Sequence, residues 1–179
     1  SNTVQAMEQI LTIGMEKEWV LDGAIAANMT QAADFWKLRE AMSEAQKPEG
    51  GSIKHDVSVP VSRVAEFITT ATAAVENAIP GIRPVPFGHV GDGNIHFNLS
   101  QPEGADKARF LGEWSAINRI VHDIVSDMGG SISAEHGIGR LKADELAHYK
   151  DPLEIEMMQR VKQALDPKGI MNPGRILNR

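Results

Sequence analysis

The 179-residue chain contains no cysteine. That excludes a disulfide framework and a thiolate metal site, so any bound metal would need histidine and carboxylate ligands. There is no apolar run of the roughly 18 residues that a membrane-crossing helix requires. A signal-peptide pattern is also missing. These absences point to a cytoplasmic protein, at most peripheral to the inner membrane. Positive charge is in short supply: 18 Lys and Arg stand against 24 Asp and Glu, for a net charge of -6. A surface of that sign offers no footprint for nucleic acid. The glycine fingerprint of a dinucleotide-binding turn is absent too.

What is present is ordinary for a globular chain. Hydrophobic residues make up 42%, and the length suits one domain with a real core. Ser1-Asn2 reads as a remnant of cloning, so the natural chain is expected to start earlier.

The periodicities predict alternating helices and strands. Val4, Met7, Ile10 and Leu11 mark a helix over 3–15, and the apolar run 19–27 reads as a strand. Thr30 is the expected N-cap of a helix over 31–42. Residues 53–59 read as a strand in which Lys54, Asp56 and Ser58 alternate with apolar positions. Val61, Val64, Phe67, Ile68, Ala71 and Val75 trace a helical stripe. A hairpin follows at 82–100, then a helix over 107–128 with Phe110, Trp114, Ile117, Val121, Ile124 and Met128 on its inner face. Residues 131–134 form a short strand candidate. Asp151-Pro152-Leu153-Glu154 opens a last helix, whose Leu153, Met157, Val161 and Leu165 form the expected buried stripe. The fold class is therefore α+β: a β-α-β-β-α-β ferredoxin-like plait with a mainly antiparallel sheet covered by helices, plus C-terminal helices.

The chemistry gathers at Gly88-His89-Val90-Gly91-Asp92-Gly93-Asn94-Ile95-His96-Phe97-Asn98. Two histidines flank a glycine-rich turn. Strict alternation puts Asn94, His96, Asn98 and Ser100 on one face and Ile95, Phe97 and Leu99 on the other. Asp92, between two glycines, reads as a turn former. A histidine pair in a turn is by itself more often structural than ligating. Glu135, in another polar, glycine-flanked segment, shifts that balance, because two imidazoles and a carboxylate suit Zn²⁺ or Mn²⁺. His136 remains open between a further ligand, a general base and a core histidine. As neighbours in an extended chain, Glu135 and His136 are expected to point opposite ways. Arg39 and Lys54 are candidate carboxylate clamps, and Ser43 shares a helical face with Arg39. His55 reads as structural; His122, His148, Arg140 and Lys142 read as surface residues.

Three motifs in order, Gly88 to His96, Ser133-Ala134-Glu135-His136-Gly137-Ile138-Gly139 and Asn172-Pro173-Gly174-Arg175-Ile176-Leu177, resemble the C-terminal domain of FAD-linked 2-hydroxyacid dehydrogenases. Ile53-Lys54-His55-Asp56-Val57-Ser58-Val59-Pro60 adds a fourth. These are vanillyl-alcohol-oxidase-type flavoproteins, a group that includes D-lactate dehydrogenases, the glycolate oxidase flavin subunit and D-2-hydroxyglutarate dehydrogenase. The resemblance implies that residues 1–179 are the substrate and metal-binding domain, with the FAD-binding domain N-terminal to it and outside this chain. It implies metal ligands at His89, His96 and Glu135, and a catalytic base at His136. It also implies substrate contacts at Arg39, Ser43, Lys54 and Asn98, and a turn around Asn172 that packs near the flavin.

On that reading a 2-hydroxycarboxylate is oxidised to the 2-oxoacid by hydride transfer to FAD. D-2-hydroxyglutarate is favoured by the cluster of clamps, with D-lactate close behind. Electrons would pass to an electron-transfer flavoprotein or a quinone. The isolated fragment is expected to be inactive, and homo-oligomerisation is left open. The readings from other classes are a non-catalytic small-molecule or metal-binding module of ferredoxin-like fold and a structural oligomerisation domain. Stoichiometric metal in the purified chain would favour the enzyme domain and the binding module over the last of these.

Overall fold

The computed structural model describes residues 2–177. They form two compact units, one up to Ala45 and one from Gln46 onward. The first unit holds α1 (Thr3–Glu16) and α2 (Met29–Ala45). The expected strand at 19–27 does not form. Glu18 takes a left-handed φ of 58°, and Trp19 N and Val20 N both donate to the Gly14 carbonyl, at 2.8 and 3.1 Å. The apolar run thus begins as the turn that ends α1. A short apolar run becomes a strand only beside another strand edge, and no strand lies among the described residues of this unit. The cap of α2 also differs: Asn28 Oδ1 accepts from Gln31 N at 3.0 Å, so Asn28, not Thr30, serves the free amides of the first turn.

The second unit holds β1 (Ser52–Ser58), α3 (Val64–Ala78), β2 (Arg83–His89), β3 (Asn94–Ser100), α4 (Lys107–Gly112), α5 (Trp114–Asp127), α6 (Ala143–Tyr149) and α7 (Pro152–Leu165). Its sheet has the order β1-β3-β2, and both pairings are antiparallel. The α+β class and the central hairpin are as expected. The fourth strand of the plait is reduced to one antiparallel bridge, Ser58 to Ser131. A side chain at Gly130 would stand 2.2 Å from the Ser58 carbonyl, so only glycine lets the chain approach this closely. Beyond that bridge the next amides turn to Asp56. Ala134 N donates to its carbonyl at 3.1 Å, and the amides of Glu135 and His136 donate to its side chain.

One face of the sheet carries the core. Ile53 and Val57 of β1 and Ile95, Phe97 and Leu99 of β3 meet Phe67, Ala71 and Val75 of α3 and Ile117, Val121 and Val125 of α5, all buried. The rings of Phe67 and Phe97 meet edge to face at 5.5 Å. Each of these side chains larger than alanine contributes about 1.5–3 kcal/mol by leaving water. The strict alternation that buries these residues leaves the opposite face polar, and the site is built there.

Two expectations about side chains are corrected. His122 is buried, not at the surface, because the inner face of α5 is wider than one stripe and takes in Asn118 and His122. Its Nδ1 lies 3.0 Å from Glu145 Oε2, and its ring meets His55 at 5.7 Å. Conversely, Leu153, Met157, Val161 and Leu165 of α7 are 58–77% exposed. The stripe is real, but the described residues do not cover it.

The turn of the hairpin closes on Gly93, whose φ is 79°. Its carbonyl accepts from Val59 N at 3.1 Å, and a side chain there would lie 2.0 Å from the Val59 carbonyl oxygen. Gly93→Ala should therefore lower unfolding free energy by on the order of 3 kcal/mol. Gly104→Ala, at a φ of 71° in open space, should lose about 1 kcal/mol. Equal losses in urea titrations would contradict the close contact at Gly93.

His55 is buried, with Nδ1 2.9 Å from the Phe97 carbonyl. Burial lowers its pKa from 6.5 to about 4, outweighing the backbone bond, with the neighbouring His122 and Lys142 pushing the same way. In the unfolded chain the same group protonates below 6.5, so stability falls as pH drops from 6.5 towards 4. The full difference is about 3 kcal/mol. Urea midpoints measured across that window should decline with the acid side lower; a flat profile would contradict a neutral buried His55.

Candidate metal and substrate site

The polar face of the sheet is assembled by register. Asp56 pairs with His96 and Lys54 with Asn98 across β1 and β3. Phe87 pairs with His96 and His89 with Asn94 across β2 and β3. His89 and His96 therefore sit two residues apart on one face of neighbouring strands, where side chains are within reach of each other. Their ring centroids are 6.2 Å apart. Asp92 is the turn former expected: its Oδ1 accepts from Asn94 N at 3.0 Å, an Asx turn that starts β3.

Glu135 and His136 arrive from the segment after the Ser58–Ser131 bridge. This segment is bent, not extended, so the two side chains do not point opposite ways. Their successive amides converge on Asp56 Oδ2, each at 2.8 Å, a pair of donors that suits an anion. Both side chains then face the sheet. Glu135 Oε1 lies 3.6 Å from His89 Nε2, and Glu135 Oε2 lies 3.8 Å from His96 Nε2. His136 stacks on His96 with centroids 6.1 Å apart.

One ligand atom from each of His89, His96 and Glu135 lies within 4.8 Å of the other two. Two imidazole nitrogens and a carboxylate oxygen at that separation fit a divalent ion of the Zn²⁺ or Mn²⁺ type, with positions left for other ligands. Asp56, Glu135 and His136 form a second group of the same compactness. There, however, Asp56 Oδ2 already accepts two backbone bonds, so the first set is the better ligand cluster.

Asp56 is the residue that the sequence reading missed. It is 3% exposed. Burial raises its pKa, but the amides of His136 and Glu135, with the imidazoles of His136 and His96, overcome that and hold it below the ordinary carboxylate value. The signal was available, since Asp56 alternates onto the same face of its strand as Lys54. Lys142, expected to be solvated, donates from Nζ to the Ile132 carbonyl at 2.7 Å. Burial lowers its pKa, countered by attraction to Asp56 and Glu145.

The other expected contacts are distributed as follows. Lys54 is exposed on the polar face. Asn98, opposite it, is buried, and its Nδ2 donates to Gln46 Oε1 at 2.7 Å. Arg39 and Ser43 are half-buried one turn apart on α2, in the first unit. Asn172 takes a left-handed φ of 46° in the C-terminal turn. That turn is anchored by Asp166, whose carboxylate accepts from Ile170 N and Met171 N at 3.0 and 2.9 Å. Further on, Ile176 N donates to the Gly139 carbonyl at 2.7 Å, which joins the tail to the segment carrying Glu135 and His136.

The second unit is an α+β fold that presents two histidines and a glutamate on the polar face of a small antiparallel sheet. Residues 1–176 match the model of the FAD linked oxidases, C-terminal domain, and the chain belongs to that family. It is 43% identical over 162 residues to a D-2-hydroxyglutarate dehydrogenase of Stutzerimonas stutzeri (strain A1501), covering 90% of this chain and 35% of the relative. It is 37% identical over 177 residues to the mitochondrial D-2-hydroxyglutarate dehydrogenase of Arabidopsis thaliana, covering 99% and 30%. With the mitochondrial enzyme of Rattus norvegicus it shares 34% identity over 171 residues, covering 96% and 30%. The chain thus spans about a third of the length of these curated relatives. Among the described residues no helix is long and apolar enough to cross a membrane.

If the cluster holds a metal, Zn²⁺ should stabilise the folded chain by mass action. The gain is about 2.7 kcal/mol at a hundredfold excess over the dissociation constant. Glu135→Gln should remove most of that gain. Thermal unfolding with and without Zn²⁺ measures it, and an equal shift in both proteins would rule out Glu135 as a ligand.

Proposed function

We propose that this chain is the substrate and metal-binding part of an FAD-dependent D-2-hydroxyacid dehydrogenase, which oxidises a 2-hydroxycarboxylate to the 2-oxoacid. The observation that carries the reading is the convergence of His89, His96 and Glu135, with His136 stacked beside them. The similarity to D-2-hydroxyglutarate dehydrogenases supports D-2-hydroxyglutarate as the substrate over D-lactate. FAD, bound mainly by a domain N-terminal to this one, would supply the hydride acceptor. His89, His96 and Glu135 would hold a divalent ion, which would supply Lewis-acid chemistry.

The chain's own residues bind, orient and take a proton. Lys54, on the polar face two positions along β1 from Asp56, meets the substrate carboxylate as a point charge. His136 accepts the hydroxyl proton as general base, so that the oxygen can form the carbonyl as the C2 hydride departs. Asn98 contributes an amide on the same face. Arg39 and Ser43 are assigned to a substrate carboxylate through the family resemblance, as is the placing of Asn172 near the flavin. Electrons taken from the substrate would leave through an electron-transfer flavoprotein or a quinone.

In the full-length protein assayed with an artificial electron acceptor, D-2-hydroxyglutarate should give a higher kcat/KM than D-lactate. His136→Ala should lower kcat by about 10²–10⁴-fold while metal content is retained. A loss of less than about tenfold would be inconsistent with a general base, and a preference for D-lactate would overturn the substrate assignment.

A further inference from the structure

Asp56 belongs to neither the ligand set nor the substrate contacts, yet its carboxylate touches every part of the cluster except His89. Oδ2 accepts from the amides of Glu135 and His136 at 2.8 Å each and lies 3.7 Å from His136 Nδ1. Oδ1 lies 3.8 Å from His96 Nδ1. That oxygen is buried and has no hydrogen-bond partner. A buried carboxylate oxygen without a partner is costly unless a donor faces it, and the facing group is the His96 ring.

The two nitrogens of His96 therefore see different surroundings. Nδ1 faces the Asp56 carboxylate, and Nε2 faces Glu135 Oε2 at 3.8 Å. A neutral imidazole carries one proton. Next to an acceptor-only carboxylate the proton belongs on Nδ1, which leaves the Nε2 lone pair for a ligand. Carboxylates orient metal-binding histidines in this way.

We propose that Asp56 is the positioning residue of the site: a single carboxylate fixes the Glu135–His136 backbone and sets His96 in the tautomer with the proton on Nδ1. This inference rests on reading His89, His96 and Glu135 as a metal cluster, but the tautomer it assigns does not require a bound ion. Asp56 does not act as a ligand itself, because one of its oxygens is committed to two backbone amides and the side chain is closed off from solvent.

Asp56→Asn separates these roles. An asparagine oxygen can still accept the two backbone amides, which turns its NH₂ group towards His96 Nδ1. A donor there favours the opposite tautomer, with the proton on Nε2, where it blocks ligation. The experiment compares the wild-type 179-residue chain with Asp56→Asn, both labelled with ¹⁵N-histidine. Spectra are recorded without metal at about pH 8, above the ordinary histidine range. His96 is assigned with His96→Gln, and Zn²⁺ affinity is measured by competition with a chromophoric chelator.

The expected result is the Nδ1-protonated tautomer in the wild type and the Nε2-protonated one in Asp56→Asn. Zn²⁺ affinity should fall by about 10–100-fold, with the chain still folded in the absence of metal. An Nε2-protonated His96 in the wild type overturns the proposal without any variant. An unchanged tautomer in a folded Asp56→Asn chain overturns it as well, even if Zn²⁺ affinity falls. If the tautomer moves as stated but the wild type binds no Zn²⁺, the metal reading fails and the positioning role stands.

Discussion

Strand β3 pairs with β1 in the register that sets Asp56 against His96, and almost everything functional follows from that pairing. Side chains alternate with a period of two, so a slip of one residue would carry His96, Asn94 and Asn98 into the core and bring Ile95, Phe97 and Leu99 out. Burial of Phe97 against Phe67 and of Ile53 and Leu99 opposite each other forbids the slip. The hydrophobic core on one face of the sheet thus fixes the polar face on the other. Gly93 and Gly130 maintain the same arrangement at the end of β1, where added side chains would meet the carbonyls of Val59 and Ser58.

The site joins two parts of the chain that are distant in sequence. Strand β3 and the end of β2 bring His96 and His89. The segment after the Ser58–Ser131 bridge brings Glu135 and His136. Asp56 is the covalently remote group that binds this segment to the sheet, through two amides and at ion-pair distance from two imidazoles. A fourth full strand would have taken those amides into a ladder. Its reduction to one bridge is what frees them to meet a carboxylate, so the departure from the expected plait and the construction of the site have the same cause.

Much of this was legible in the sequence where a local period carried the information. Alternation from Asn94 to Ser100 identified the two faces of β3, and the glycine-rich turn identified the hairpin. Glu135 and His136 were found by composition and by the order of the motifs. Asp56 was not singled out, although its strand face was right, because the register between residues 56 and 96 is a tertiary fact that neither strand encodes alone. His122 was misplaced because a helical period gives the direction of the buried face and not its width. The α7 stripe was read correctly as apolar, but amphipathicity does not say what covers a face. The run 19–27 had strand-like composition, and strand formation depends on a neighbouring edge that it does not find in its own unit.

The central claim is that His89, His96 and Glu135 ligate one divalent ion on the polar face of the sheet. X-ray absorption at the zinc edge of the Zn²⁺-loaded chain tests it most directly. The account predicts a first shell of two imidazole nitrogens with carboxylate and water oxygens, losing one imidazole in His89→Ala and again in His96→Ala. A first shell of oxygen alone, or one unchanged by both substitutions, would contradict it.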